Sequence, residues 1–261
     1  MYQTIVTEAK NKVGRIILSR EEKRNAISPT MMNELLDVFR KYDDDPNIAV
    51  IVLTGAGSRV FCSGADIGES IAAGTSFIER HEEQRKFADL FKLIKGLKKP
   101  LIGRINGHAM GGGLGLASAC DIVIAAEDCK FGTPEVNVGL FPYIIMATLL
   151  RVTSAPKYLL EIMLTGERVD AREAKQLGLV NHVVPRDQLD AKVDEIAQKM
   201  AKKSPATLRL GRRAFYTMRD MEYEKALEYL SSMLAINTMA EDVAEGIASF
   251  MEKREPLWKG K

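Results

Sequence analysis

Three short apolar runs set the strongest limit on how this chain can fold. They are "IAVIVLTG" (residues 48–55), "LIGRING" (101–107) and "DIVIAAE" (121–127). Each is nearly continuous rather than alternating, as expected of strands buried on both faces. Loops and helical patterns separate them, so the chain reads as an α/β fold of strand–loop–helix units around a mostly parallel sheet. Two further β runs, near residues 4–8 and 14–18, open the chain. "SPTMMNELLDVFRKYDDD" reads as a helix, with Ser28 as N-cap, Pro29 in the first turn and Met31, Leu35, Val38 and Phe39 on one face. Residues 69–85 are polar and show no clear pattern. A helix is expected from about residue 82 to 97.

Beyond residue 140 the chain turns helical, apart from a short strand at "NHVVP". The stretch 189–254 carries two apolar stripes, one of Leu227, Leu230 and Leu234, the other of Val243, Ile247, Phe250 and Met251. Such stripes must be buried on the chain's own core or on a partner subunit. With 37 Lys and Arg against 35 Asp and Glu, the net charge of +2 gives no general attraction for nucleic acid. The three cysteines have no metal-ligand spacing and suggest buried thiols in a reducing compartment. The start has no signal-peptide pattern, and no apolar stretch reaches membrane length. A cytoplasmic protein with no bound metal is expected.

Two glycine-rich loops follow strands: "GAGSRVFCSGADI" (55–67) and "GHAMGGGLGLAS" (107–118). Each can bring backbone N–H groups against a ligand oxygen, and two such donors on one oxygen would stabilise a developing enolate. Tight helix–strand packing explains the same glycines without chemistry. The dinucleotide fingerprint fails, because its third glycine would be Val60 in one loop and Ser118 in the other, and no GK[ST] loop is present.

Three ordered motifs, "FCSGADI", "KPLIGRINGHAMGGGLGLASACDIVIAAE" and "FGTPEVNVGLFP", together resemble the crotonase superfamily, the enoyl-CoA hydratase/isomerase family. "NKVGRIILSREEKRNAIS", "LTGERVDAREAKQLGLVNHVVP" and "EGIASFMEKREPLWKGK" extend the resemblance over nearly the whole chain. It implies a spiral of ββα units over residues 1–195 and a helical trimerisation region over residues 196–261. It also implies a homotrimer or a dimer of trimers, an acyl-CoA thioester substrate, and no cofactor beyond the CoA moiety. By the motifs, the N–H groups of Ala65 and Gly112 form the oxyanion hole and Glu135 is the acid/base. Lys23, Arg24 and Ala26 would meet CoA. Asp66, Ile67, Gly111, Pro134 and Tyr143 would border the substrate, and Phe250 and Lys253 would reach the CoA nucleotide, often from a neighbouring subunit.

The sequence also departs from the family. Hydratases usually carry a second glutamate where this chain has Gly115, and "PYIIMATLL" (142–150) replaces a glycine-rich segment. One carboxyl can move a proton between two carbons of an enolate but holds a water less well than two. Isomerisation of 3-enoyl to 2-enoyl thioesters is therefore favoured over hydration. A hydratase with an atypical second acid, drawn from Glu79, His81, Glu82 or Glu83, is the alternative. A further one is a non-catalytic member binding acyl-CoA or RNA through "KLIKGLKK" or "RLGRR". His108 and His182 read as structural, and Arg104 as an edge residue or the partner of an acid.

Overall fold

The structure, a computed structural model, describes residues 1–72 and 76–261. It opens with an antiparallel hairpin of β1 (Ile5–Lys10) and β2 (Val13–Leu18). Asn11 and Lys12 turn it at φ of 52° and 63°, the left-handed pair that a two-residue hairpin loop requires. α1 (Pro29–Asp44) follows. The Ser28 hydroxyl accepts the Met31 N–H at 3.1 Å, and Met31, Leu35, Val38 and Phe39 are buried, as the spacing predicts.

The next elements repeat one pattern. β3 (Val50–Gly55) leads to β4 (Val60–Cys62), α2 (Ile67–Ala72) and α3 (Phe77–Gly96). β5 (Leu101–Ile105) leads to β6 (His108–Met110) and α4 (Gly112–Ala119). β7 (Ile122–Ala126) leads to β8 (Lys130–Gly132), a 3-10 turn at Pro134–Val138, α5 (Tyr143–Val152) and α6 (Pro156–Thr165). β9 (Arg168–Asp170), α7 (Ala171–Gln176) and β10 (His182–Val184) close the strand-bearing part. The longer strands build a six-stranded sheet in the order β1-β2-β3-β5-β7-β10, parallel from β2 onward. The short ones build a second sheet, β4-β6-β8-β9. Each turn of the spiral thus lays one strand in each sheet and then a helix.

The second sheet is not expected from periodicity. β4, β6, β8 and β9 have three residues each, too few to show alternation, and β4 lies inside a segment whose glycines read as loop. α3 also starts five residues before the expected position. A capping box begins it: Ser76 Oγ accepts the Glu79 N–H, and the Glu79 carboxylate accepts the Ser76 N–H at 2.7 Å. Arg104 meets an acid, as one of its two readings held. Its guanidinium spans both Asp190 carboxylate oxygens, at 2.8 and 2.9 Å.

The C-terminal stretch is four helices: α8 (Leu189–Ala201), α9 (Pro205–Met218), α10 (Tyr223–Thr238) and α11 (Glu241–Met251). The expected boundary after residue 195 falls inside α8, which packs on β5 and β7 through Leu189, Val193 and Ala197. α9 is anchored by one arginine. Arg212 donates to the carbonyls of Ile94 and Leu97 at the end of α3 and to Asp121 Oδ2 at 2.8 Å. Asp121 also accepts from Tyr216 Oη and from the Leu101 N–H, so helix, sheet and tail share one node. The tail is tied back where Asp242, buried, accepts from Ser204 Oγ and the N–H of Lys259 and Gly260.

Arg212 therefore belongs to the scaffold, not to a free basic surface. Lys95 and Lys98 of the other basic segment are likewise paired, with Asp220 at 3.0 Å and Asp44 at 2.6 Å. Removing Arg212 leaves Asp121 and the α3 carbonyls without their donor. Arg212→Met is expected to destabilise the protein by about 3 kcal/mol. Urea unfolding at matched protein concentration should show a lower midpoint with an unchanged slope.

Candidate active site

The short-strand sheet brings two backbones together. β4 pairs parallel with β6, and each strand runs on through a glycine-containing connection to a helix. The loop after β4 is held from the other side by residues 24–27. Ser63 N–H donates to Arg24 O at 3.1 Å, Ile27 N–H to Gly64 O at 2.8 Å, and Asp66 N–H to Ile27 O at 3.0 Å. This parallel bridge uses the groups flanking the Ala65 N–H and leaves that N–H unspent on any backbone acceptor among the described residues. The Gly112 N–H stands at the start of α4, where the helix offers no acceptor, and it too is unspent.

The glycines allow the approach. Gly111 has φ of 51°, which a side chain would strain, and a Cβ on it would stand 2.7 Å from Glu135 Oε1. A Cβ on Gly112 would come 2.9 Å from Phe87 Cζ and 3.5 Å from the Ala65 nitrogen. A Cβ on Gly113 would overlap the Cys62 carbonyl. The Ala65 and Gly112 backbones thus lie close together, with neither N–H spent on a backbone acceptor among the described residues.

Glu135 sits in the 3-10 turn that follows β8, next to Pro134 in its first position. Its Oε2 is buried with no hydrogen-bond partner among the described residues. Burial pushes its carboxyl above the ordinary glutamate range, against a smaller lowering by its own backbone N–H. No cation among the described residues is placed to offset the burial. Such a carboxyl keeps its proton to a higher pH than a solvated glutamate does.

The surroundings of Gly115, on α4, are apolar. A Cβ on Gly115 would overlap the Ile145 side chain, with Ile145 Cβ at 2.9 Å and Phe91 Cζ at 3.0 Å. Phe91 packs on Phe87, ring centroids 5.1 Å apart, and both extend from the buried half of α3. The acids weighed as substitutes lie elsewhere on that helix. Glu79 caps it, Glu83 pairs with Lys86 at 2.8 Å, and His81, Glu82 and Glu83 are exposed.

The other predicted residues divide into two groups. Ala26 is buried in the loop that holds Ala65, while Lys23 and Arg24 stand exposed beside it. Asp66 turns its carboxylate to Arg20, at 3.0 Å, and Ile67 begins α2. Burial pushes Asp66 up, but the Glu69 N–H and the Arg20 guanidinium hold it below the usual carboxylate range. Tyr143 begins α5, largely exposed, with its ring 5.4 Å from that of Phe141. Phe250 is exposed on α11, and Lys253 follows that helix, which packs on α9 and α10. His108 Nδ1 accepts the Lys130 N–H at 3.1 Å. All three cysteines are buried, and burial pushes the Cys62 thiol up to about 12. No cluster of three His, Cys, Asp or Glu side chains among the described residues could hold a metal. Asn25 was not among the predicted residues. It is fully buried at φ of 53° and donates to the Ala56 and Val60 carbonyls, and "RNAI" was its only signal.

The sequence model of the enoyl-CoA hydratase/isomerase family matches residues 8–261. A probable enoyl-CoA hydratase of Mycobacterium bovis is 33% identical over 258 residues, covering 98% of this chain and 97% of its own. A crotonyl-CoA hydratase of Syntrophomonas wolfei is 31% identical over 254 residues, covering 97% of each. The crystal structure of an enoyl-CoA hydratase of Mycobacterium smegmatis superposes with a TM-score of 0.93 at 31% identity, over 98% of this chain and 99% of that one. The spiral of ββα units, the motifs around the two glycine loops and these likenesses agree: the chain belongs to the enoyl-CoA hydratase/isomerase family.

Proposed function

We propose that this protein is an acyl-CoA enzyme that stabilises a thioester enolate at the Ala65 and Gly112 N–H groups and uses Glu135 as its single proton carrier. The reaction that fits best is conversion of a 3-enoyl-CoA to a 2-enoyl-CoA. The observation that carries this reading is the filled space at Gly115, where Ile145 and Phe91 occupy the room a second carboxyl would need.

The chemistry balances with one carboxyl. Glu135 takes a proton from C2, and the electron pair moves onto the thioester oxygen, which receives both N–H donors. The C2=C3 bond then forms as the C3=C4 bond breaks, and Glu135 returns the proton to C4. Each N–H aimed at the developing oxyanion is worth about 3 kcal/mol. Hydration would add a water that must be held and deprotonated beside the thioester, and the space at Gly115, where a second carboxyl would help to hold it, is taken by Ile145 and Phe91. No cofactor beyond the CoA moiety is required. The exposed Lys23 and Arg24 suit the CoA phosphates, with Ala26 beside the pantetheine. Hydration is the second reading, favoured by the hydratase names of the relatives.

The exposed apolar residues of the tail support self-association. Leu227, Leu234, Met239, Ile247, Phe250 and Met251 are all more than half exposed in the single chain, so the stripes are not buried on its own core. A trimer or dimer of trimers would cover them and bring Phe250 and Lys253 toward a neighbour's CoA site. Sedimentation equilibrium at micromolar concentration should return three or six chain masses, and a monomer would reject this assembly.

Purified protein is expected to convert 3-hexenoyl-CoA to 2-hexenoyl-CoA and to hydrate crotonyl-CoA poorly. Glu135→Gln should lower the isomerisation kcat by about 10³-fold. Because the base must be ionised and its pKa is raised, kcat/KM should fall with decreasing pH on a limb above the ordinary glutamate value. Efficient Glu135-dependent hydration of crotonyl-CoA would favour the hydratase reading, and full activity in Glu135→Gln would defeat both.

A further inference from the structure

The loop expected at CoA and the loop after β4 that carries the Ala65 N–H are joined by one buried guanidinium. Arg20 is 9% exposed. Its Nη1 donates to the Ala26 carbonyl and to Asp66 Oδ2, both at 3.0 Å, and its Nη2 donates to Glu69 Oε1 at 2.6 Å. Asn25 fixes its backbone: the Arg20 N–H donates to Asn25 Oδ1 at 3.1 Å, and the Asn25 N–H returns to Arg20 O at 2.8 Å. Asp66 in turn accepts the Glu69 N–H at 3.2 Å.

We infer that Arg20 is a positioning residue. It couples the loop 23–26 to the Ala65 N–H, so that engagement of the CoA end of a substrate sets the donor geometry at its thioester. This rests on the oxyanion role given above to Ala65 and Gly112. Arg20 is not placed to bind phosphate itself, because both of its terminal nitrogens are directed at acceptors inside the protein. The geometry explains why an arginine is used. One planar fork spans a carbonyl on one segment and two carboxylates on the other, which a lysine ammonium cannot do in a fixed orientation. Ala65 itself is exposed, so little packing holds its peptide plane. The restraint comes from the Ile27 bridge and from Asp66, the next residue in the chain. Losing the fork frees both Ala26 O and Asp66, and a donor displaced by about 1 Å can cost about 10²-fold in rate.

The test reads the thioester carbonyl directly. A conjugated 2,4-hexadienoyl-CoA bound at saturation should show a red-shifted absorption band in the wild type, because two donors on the carbonyl oxygen draw electron density toward it. Arg20→Met and Asp66→Asn, each checked to be folded, should lose more than half of that shift. Their dissociation constants should rise by less than about tenfold. Arg20→Lys should give an intermediate shift, and the Arg20→Met/Asp66→Asn double variant should be no worse than the poorer single one. Asp66→Asn keeps the inference testable if Arg20→Met fails to fold. A full shift in folded, saturated Arg20→Met or Asp66→Asn would overturn the positioning role and leave the oxyanion reading intact. No shift in the wild type would remove the oxyanion reading and this inference with it.

Discussion

The site depends on one backbone-to-backbone contact: the turn after β4 lies against the first residues of α4 with no side chain between them. Gly113 sits on the Cys62 carbonyl, and Gly112 lies beside the Ala65 nitrogen. Two peptide N–H groups from distant parts of the chain can converge only if both chains come this close. The short-strand sheet holds them there, since β4 and β6 are hydrogen-bonded neighbours that run parallel into the two turns. The larger sheet and α1 form the base on which that arrangement is built.

A buried acid next to such a contact gains a raised proton affinity from its surroundings alone. Among the described residues Glu135 has no cation beside it and one oxygen with no partner, a cost to folding that ordinary packing would remove. Its retention in that state is the kind of local conflict that marks a functional site. The packing around Gly115 is apolar. At Gly115, Ile145 and Phe91 fill the space a side chain would take, and the single-carboxyl chemistry proposed above rests on that fill.

Much of this was legible in the sequence, for identifiable reasons. The buried strands β3, β5 and β7 announce themselves because both faces are covered, so apolar residues run nearly unbroken along them, with Thr54 and Arg104 the polar exceptions. The placement of the glycine triplet at the start of a helix and of Glu135 in the turn after a short strand follows from motifs that stand in order along the chain. The second sheet was not, since three-residue strands carry no periodicity. The start of α3 was missed although "SFIE" is a capping box, because the polar residues after it have no apolar stripe to signal a helix. Arg20 and Asn25 could not be assigned from the sequence, because their value lies in acceptors that come together only in three dimensions: Ala26 O, Ala56 O, Val60 O and Asp66.

The central claim is that one carboxyl moves one proton across the bound acyl group without water taking part. It is tested most directly by turning over 3-hexenoyl-CoA deuterated at C2 in ¹⁸O-labelled water and analysing the product by mass spectrometry and NMR. A 2-enoyl product carrying part of the deuterium at C4, with no ¹⁸O incorporated, is the result the account predicts. A 3-hydroxyacyl product bearing ¹⁸O would contradict it, and would mean that a water is held in the space assigned here to Ile145 and Phe91.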